Sequence, residues 1–385
     1  MNFNFLSPVS DLVLAHNELL SQQALGRKLR IHSKQKGIPD LEDVNVVLIG
    51  VLENRNDHNY IGEEFQLNDI RKAFYSLFPG SWNTVIADLG DINKGETVED
   101  TYFALKTTIS ILIQKQIILG GTQDLTYANY RAYDSLIPMV NIVNVDGKFD
   151  LGDSTRPIKN NSFVGKIILD KPYNLFNYAT IGYQTYFNSQ EEIDLMDKLY
   201  FESYRLGQVS KDITIVEPVL RDANIVSVDL NSVKSSEFSL NQKYSPNGFD
   251  GKEICAIARY AGISNKVSSF GIYEYKPSKD DEITSMLVAQ MIWYFIEGVN
   301  YRVKDDSFKD ENNYQKYITL VDDQELIFYK SNKTGRWWIE IPFLTEVNTK
   351  LKRHTLLPCM HQDYLDACNN TVPDRWYKAF QKNSI

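Results

Sequence analysis

Residues 44–52 read Val-Asn-Val-Val-Leu-Ile-Gly-Val-Leu, a nearly unbroken apolar and β-branched run. A strand with one face in water alternates apolar and polar positions, whereas a strand covered on both faces is apolar throughout. The run therefore predicts a core strand of a parallel sheet with helices on either side. Comparable runs recur at 84–87, 116–119, 140–145, 179–182, 225–228 and 267–272. Helical patterns lie between most of them, at 67–78, 98–114, 124–135, 191–206 and 250–260. Ser278, with Asp281 three positions on, caps a further helix that extends to about residue 298. This alternation predicts a three-layer α/β/α sandwich around a mostly parallel central sheet, plus a C-terminal extension.

A chain of 385 residues exceeds the usual size of one domain, so one large domain with an appendage is expected. The formal net charge of -9 and the lack of a basic run argue against nucleic-acid binding, which needs a cationic face for phosphates. No stretch approaches the about 20 apolar residues of a membrane span, and the first residues lack a signal-peptide pattern. The three cysteines, Cys255, Cys359 and Cys368, are too few for a disulfide framework. A soluble, cytoplasmic protein is the expectation.

Three short segments follow strand-like runs: Gly120-Gly121-Thr122-Gln123-Asp124, Val145-Asp146-Gly147-Lys148-Phe149-Asp150 and Ser227-Val228-Asp229-Leu230-Asn231. Ligands of open parallel sheets bind beyond the carboxyl ends of strands, so these segments are expected to share one crevice. They resemble the Gly-Gly-Asp-His, Asp-Ala-His-x-Asp and Ser-x-Asp-x-Asp signatures of the arginase, agmatinase and formimidoylglutamase (ureohydrolase) family. The resemblance covers about residues 44–298 and implies an arginase-like fold. In that family the signatures hold a manganese pair, and here Asp146, Asp150 and Asp229 match ligand positions. Gln123, Lys148 and Asn231 replace the other three, two histidines and an aspartate. By the same resemblance, Asp146 and Asp229 are bridging positions and Asp150 belongs to the ion whose histidine is Gln123.

An ammonium cannot coordinate a metal, and buried carboxylates left unpaired are costly. Lys148 is therefore expected to form an internal salt bridge in place of an ion, leaving a vestigial metal site with no cofactor. A weak single manganese held by Asp146, Asp150, Asp229 and Gln123 is the other reading. Phe270-Gly271-Ile272-Tyr273-Glu274-Tyr275-Lys276-Pro277 resembles the late family segment whose glutamate pairs with the substrate cation, so Glu274 is the candidate ligand-binding residue. A carboxylate at a strand end suits a planar cation through paired charge-assisted hydrogen bonds. Equally, Glu274 pairs with a nearby lysine, Lys148 included. His58, after the first strand, is taken as a polar loop residue.

With these substitutions the resemblance implies a degenerate family member, a non-catalytic pseudoenzyme with a binding or scaffolding role. The alternative is an active metal-dependent C–N hydrolase of formimidoylglutamase/arginase type acting on a guanidino or formimino compound. A sensor for such a small molecule is a third reading. The boundary is placed at 300, with 1–300 as the arginase-like domain and 301–385 as the extension. The extension has 13 basic and 12 acidic residues, a folded-protein composition. Residues 325–330 and 336–341 form a β-hairpin around a five-residue loop, and Pro373 opens a short helix with Trp376 and Phe380 one turn apart. Trp337 and Trp338 point to opposite faces, so they either cover a sheet edge or crevice mouth, or present an aromatic to a protein partner.

Overall fold

The computed structural model describes residues 3–60, 62, 64–112, 115–153, 156–237, 245–276, 282–305, 311–322, 324–342 and 356–384. The Ser278 cap lies outside these residues. Ten strands form the main sheet: β1 (Leu6–Ser7), β2 (Arg30–Ile31), β3 (Val46–Val51), β4 (Ile86–Ile92), β5 (Lys115–Gly120), β6 (Val140–Val145), β7 (Leu175–Tyr183), β8 (Glu202–Arg205), β9 (Ile225–Asp229) and β10 (Ser269–Tyr273). Their order is β1-β4-β3-β5-β10-β9-β6-β7-β8, with β2 added on β4; only β1 is antiparallel to its neighbour.

The apolar runs are apolar because both faces are covered. Within β3, Val46 and Leu48 join one buried cluster while Val47, Ile49 and Val51 join the other. The first cluster also receives helices Asn68–Ser76, Gly251–Ile263 and Glu282–Asn300; the second receives Val98–Ile111, Leu125–Arg131 and Phe163–Leu169. The result is the expected three-layer sandwich. The helical pattern at 191–206 is corrected: the helix stops at Lys198, and Glu202–Arg205 is the edge strand β8. Its four residues are too few and too polar to show a strand period against the helix before them.

A second, antiparallel sheet follows, β11 (Tyr314–Val321), β12 (Gln324–Ser331), β13 (Trp337–Glu340) and β14 (Leu356–Cys359), in that order. Leu326, Phe328, Ile339 and Leu357 share its core with Trp376 of the last helix, Asp374–Ser384. Trp376 and Phe380 stack at 5.0 Å, as their one-turn spacing predicts. Both tryptophans of the hairpin are buried, Trp337 at 6% and Trp338 at 5% exposure, so neither presents an aromatic to a partner. Trp338 instead packs under the Arg221 guanidinium at 4.4 Å, and Arg221 donates to the Trp337 and Cys359 carbonyls. The last helix reaches the sheet edge itself: Arg375 Nε donates to Glu202 Oε2 of β8 at 2.7 Å, and Lys382 bonds Asn177 of β7. Among the described residues no helix is long and apolar enough to cross a membrane.

Candidate active site

Four neighbouring parallel strands end level with one another. Leu119 of β5 pairs with Ile272 of β10, Ile272 with Val228 of β9, and Val228 with Val145 of β6. One row across the sheet is thus followed, within four residues on every strand, by Gln123, Glu274, Asp229 and Asp146. The turn after β5 is tight, since a Cβ on Gly121 would meet the Glu53 carbonyl oxygen at 1.8 Å. Asp150 and Glu274 take positive φ values, 54° and 62°, a left-handed backbone that costs side-chain-bearing residues about 1–3 kcal/mol. That strain aims two carboxylates into the same small volume.

The acids crowd without enough cations. Asp146 and Asp150 are buried, and Glu274 is 2% exposed. Burial, then the neighbouring Asp150, holds the Asp146 carboxyl well above the ordinary range. Burial also pushes Asp150 up to about 7, with Asp229 adding to the rise. Glu274 is pushed up to about 7 by burial and again by Asp229, against the partial relief of Lys276. Glu274 Oε1 accepts from Gln123 N and Asn160 Nδ2, both at 3.0 Å. Its Oε2 has no hydrogen-bond partner among the described residues and lies 3.8 Å from Lys276 Nζ.

Gln123 is the pivot of the cluster. In one orientation its amide nitrogen donates to Asn144 Oδ1 at 2.6 Å and Ser227 Oγ at 3.2 Å. Its oxygen then faces Asp146 Oδ2 and Asp150 Oδ2, and in the other orientation the nitrogen donates to those two carboxylates at 2.9 and 3.3 Å. Asp229 Oδ1 accepts from Asn231 N at 2.6 Å and from Asn231 Nδ2 at 2.8 Å, so this amide holds its neighbour.

Lys148 does not form the salt bridge its surroundings suggest. Its backbone N–H donates to Asp146 Oδ1 at 2.8 Å, while its ammonium stands over the Phe187 ring, 5.9 Å from the centroid. Asp146 is satisfied by the lysine's own backbone, and the side chain leaves the loop toward the cavity. The lysine paired with Glu274 is Lys276, not Lys148. The cavity, of about 220 Å³, is lined by Asp146, Asp150, Asp229, Lys148, Asn231 and Phe187, and by His58, Asn160, Asn161, Ser235 and Ser245. His58 was taken as a polar loop residue; it also lines the cavity, with Nδ1 3.2 Å from Asn160 Oδ1. Asn160, which screens Glu274 from the cavity, carries no signal in the sequence, because its importance is a contact across 114 positions.

No protein-family model matches the chain. A formimidoylglutamase of Staphylococcus aureus is 25% identical over 251 residues, covering 62% of this chain and 80% of that protein. Among solved structures, a Trypanosoma cruzi formiminoglutamase with Mn²⁺ superimposes with a TM-score of 0.61 at 18% identity, covering 69% of this chain and 96% of that one. A Bacillus subtilis formimidoylglutamase gives 0.61 at 19% identity over 69% and 90%. Agmatine ureohydrolase of Thermoplasma volcanium gives 0.56 at 20% identity over 75% and 98%. These neighbours correct one expectation. The sequence reading assigned no cofactor, or at most a weak single manganese; against it stands a formiminoglutamase of the same fold that carries Mn²⁺. The chain is thus similar in sequence to formimidoylglutamases and has the fold that they share with agmatine ureohydrolase.

Proposed function

We propose that the chain is a manganese-dependent C–N hydrolase of formimidoylglutamase/arginase type, acting on a guanidino or formimino group. The observation that carries this reading is the convergence of the Gln123 amide, Asp146 and Asp150 beside Asp229 at the ends of four strands. In the orientation that satisfies both ends of the amide, its nitrogen donates to Asp146 Oδ2 at 2.9 Å and to Asp150 Oδ2 at 3.3 Å. Oxygen ligands suit a hard cation, and such a cation on the carboxylates would turn the amide oxygen toward it, the nitrogen then donating to Asn144 Oδ1 and Ser227 Oγ. When bound, manganese supplies Lewis-acid charge and water of lowered pKa. The acids, relieved of crowding by a cation, release the protons that burial makes them keep. Glu274 is the acceptor for the planar cation of the substrate, once Asn160, which donates to it and lines the cavity, turns aside.

A second reading, a non-catalytic ureohydrolase-like binding or scaffolding protein, is favoured by the other half of the site. Asn231 ties up Asp229 and Lys148 brings its own charge, a donor set that does not fit a second ion. The two readings separate in one experiment. The full chain is loaded with manganese chloride and supplied with guanidino and formimino compounds, while manganese binding is followed by calorimetry and urea, formamide and ammonia are measured. Product release supports the hydrolase. Manganese binding that Asp150→Asn abolishes, with no release from any compound, supports the binding protein. Three unbridged cysteines accord with a reducing, cytoplasmic setting for either.

A further inference from the structure

The segment ahead of the first core strand holds a second cavity. Between Glu18 and Asp40 the chain carries Arg27, Lys28, Arg30, Lys34 and Lys36 and no Asp or Glu, although acids outnumber bases in the whole chain, 50 to 41. Residues of the helix Asp11–Leu19 and of the turn that closes Ser33 on Gly37 line a cavity of about 720 Å³, against about 220 Å³ at the strand ends, and the two share no lining residue. That size suits a small organic ligand. Leu14, Leu29, Ile31 and Pro39 give it an apolar wall. Arg27, Arg30, Lys34 and Lys36 line it too, against two carboxylates, Asp11 and Glu18.

Most of these cations are not spent on carboxylates. Arg27 Nη1 donates to the Asn17 carbonyl at 3.4 Å, and Arg30 Nη1 to the Asp40 and Glu42 carbonyls at 2.8 and 2.7 Å, bonds that fix a guanidinium without neutralising it. Among the described residues Lys34 alone of the four has an ion pair, with Asp11 at 2.6 Å, and both partners are about two-thirds exposed, where such a pair contributes little. Lys36 stands on a turn closed by Gly37 N to Ser33 O at 2.8 Å and by its own N–H to Ser33 Oγ at 3.2 Å. Asn17, 9% exposed, lines the same cavity and leaves Oδ1 without a hydrogen-bond partner, an orphan that a donor on a ligand satisfies. We propose that this cavity is a binding site for a small phosphate monoester with an apolar body. Its four cations exceed its two carboxylates by two charges, and a phosphate monoester near neutral pH carries about -1.5 to -2, whereas a carboxylate carries a single charge. Guanidinium forks match phosphate oxygens, and the apolar wall takes the organic part. The site stands independently of how the strand-end crevice is read.

The test is a ligand-observed NMR titration of the full chain in metal-free buffer with three probes, phenyl phosphate, benzoate and phenol. Phenyl phosphate is expected to bind at least about tenfold tighter than benzoate, and phenol weakest. Arg27→Gln and Lys36→Gln are each expected to weaken phenyl phosphate about threefold, and together about tenfold, as partly exposed charge contacts do. Lys36 is exposed, so its variant keeps the fold. Lys28→Gln, which removes a neighbouring charge that does not line the cavity, and Lys148→Gln at the strand ends are expected to leave the affinity in place. Equal binding of benzoate and phenyl phosphate, or no binding of phenyl phosphate, overturns the proposal. A loss in Lys28→Gln equal to that in Lys36→Gln overturns it too, since that marks diffuse surface attraction, and so does an affinity that only Lys148→Gln reduces, which places the phosphate at the strand ends.

Discussion

Crowded acids make the stability of this protein depend on pH in an unusual direction, and manganese should reverse the effect. Asp150 is held at about 7 in the folded chain, against an ordinary value of 3.8, and Glu274 at about 7 against 4.5. Both carboxyls are buried, so the folded state keeps protons that the unfolded state has already lost. A group with a raised folded pKa makes stability fall as pH rises from its unfolded to its folded value, and no further above that. Each unit of that window costs about 1.4 kcal/mol per group, so between pH 5.5 and 7 each acid removes about 2 kcal/mol, and the pair about 4 kcal/mol. Asp146 acts in the same direction. Asp91 and Asp124, raised by burial elsewhere, add to the slope but face no cation site. Manganese binds the folded acids without their protons, so its stabilising increment should grow with pH across the window. Urea unfolding of the full chain in chelator and in manganese, at pH 5.5, 7 and 8.5, measures both terms. Asp150→Asn should remove about half of the chelator-state loss and most of the manganese increment. A chelator-state stability unchanged within about 0.5 kcal/mol, or a manganese increment equal at the two extremes, would refute the argument.

Three further outcomes follow from named contacts. Arg375→Met strips the partner from buried Glu202 and should cost about 3–5 kcal/mol in urea unfolding, with Glu202→Gln added to it recovering part; a cost under about 1 kcal/mol would contradict the buried pair. Glu202 itself is pulled down to about 2, chiefly by Arg375 against its burial, so its contribution is present above pH 4.5 and disappears as pH falls toward 2. Glu274→Gln should weaken propylguanidine binding about tenfold in calorimetry, and unchanged affinity would place the cation elsewhere. The triple variant Gln123→His, Lys148→His, Asn231→Asp should raise manganese per chain in elemental analysis; unchanged content would mean that these positions do not form one site.

The layered sheet was legible because burial on both faces writes itself into a strand as an unbroken apolar run, as residues 46–51 show. The three strand-end segments were legible for a related reason, since the residues that follow such runs emerge at one end of a parallel sheet. Sequence also showed which residue types follow those strands, because that is a matter of composition along the chain alone. Which atoms meet was another matter. Strand order brings β5, β10, β9 and β6 together although Lys115 of β5 and Tyr273 of β10 are 158 positions apart, and only then do Gln123 and Glu274, 151 positions apart, share a hydrogen bond. The charge of Lys148 suggested a salt bridge with its loop neighbours; tertiary structure sent the ammonium over Phe187 because the loop's own N–H already serves Asp146. The pairing of Arg375 with Glu202 was likewise invisible, being a long-range contact onto a four-residue strand. Periodicity and residue type are properties of local chain and can be read along it, whereas the direction of a side chain and the identity of its partner depend on backbone strain and packing that exist only once distant segments are in register.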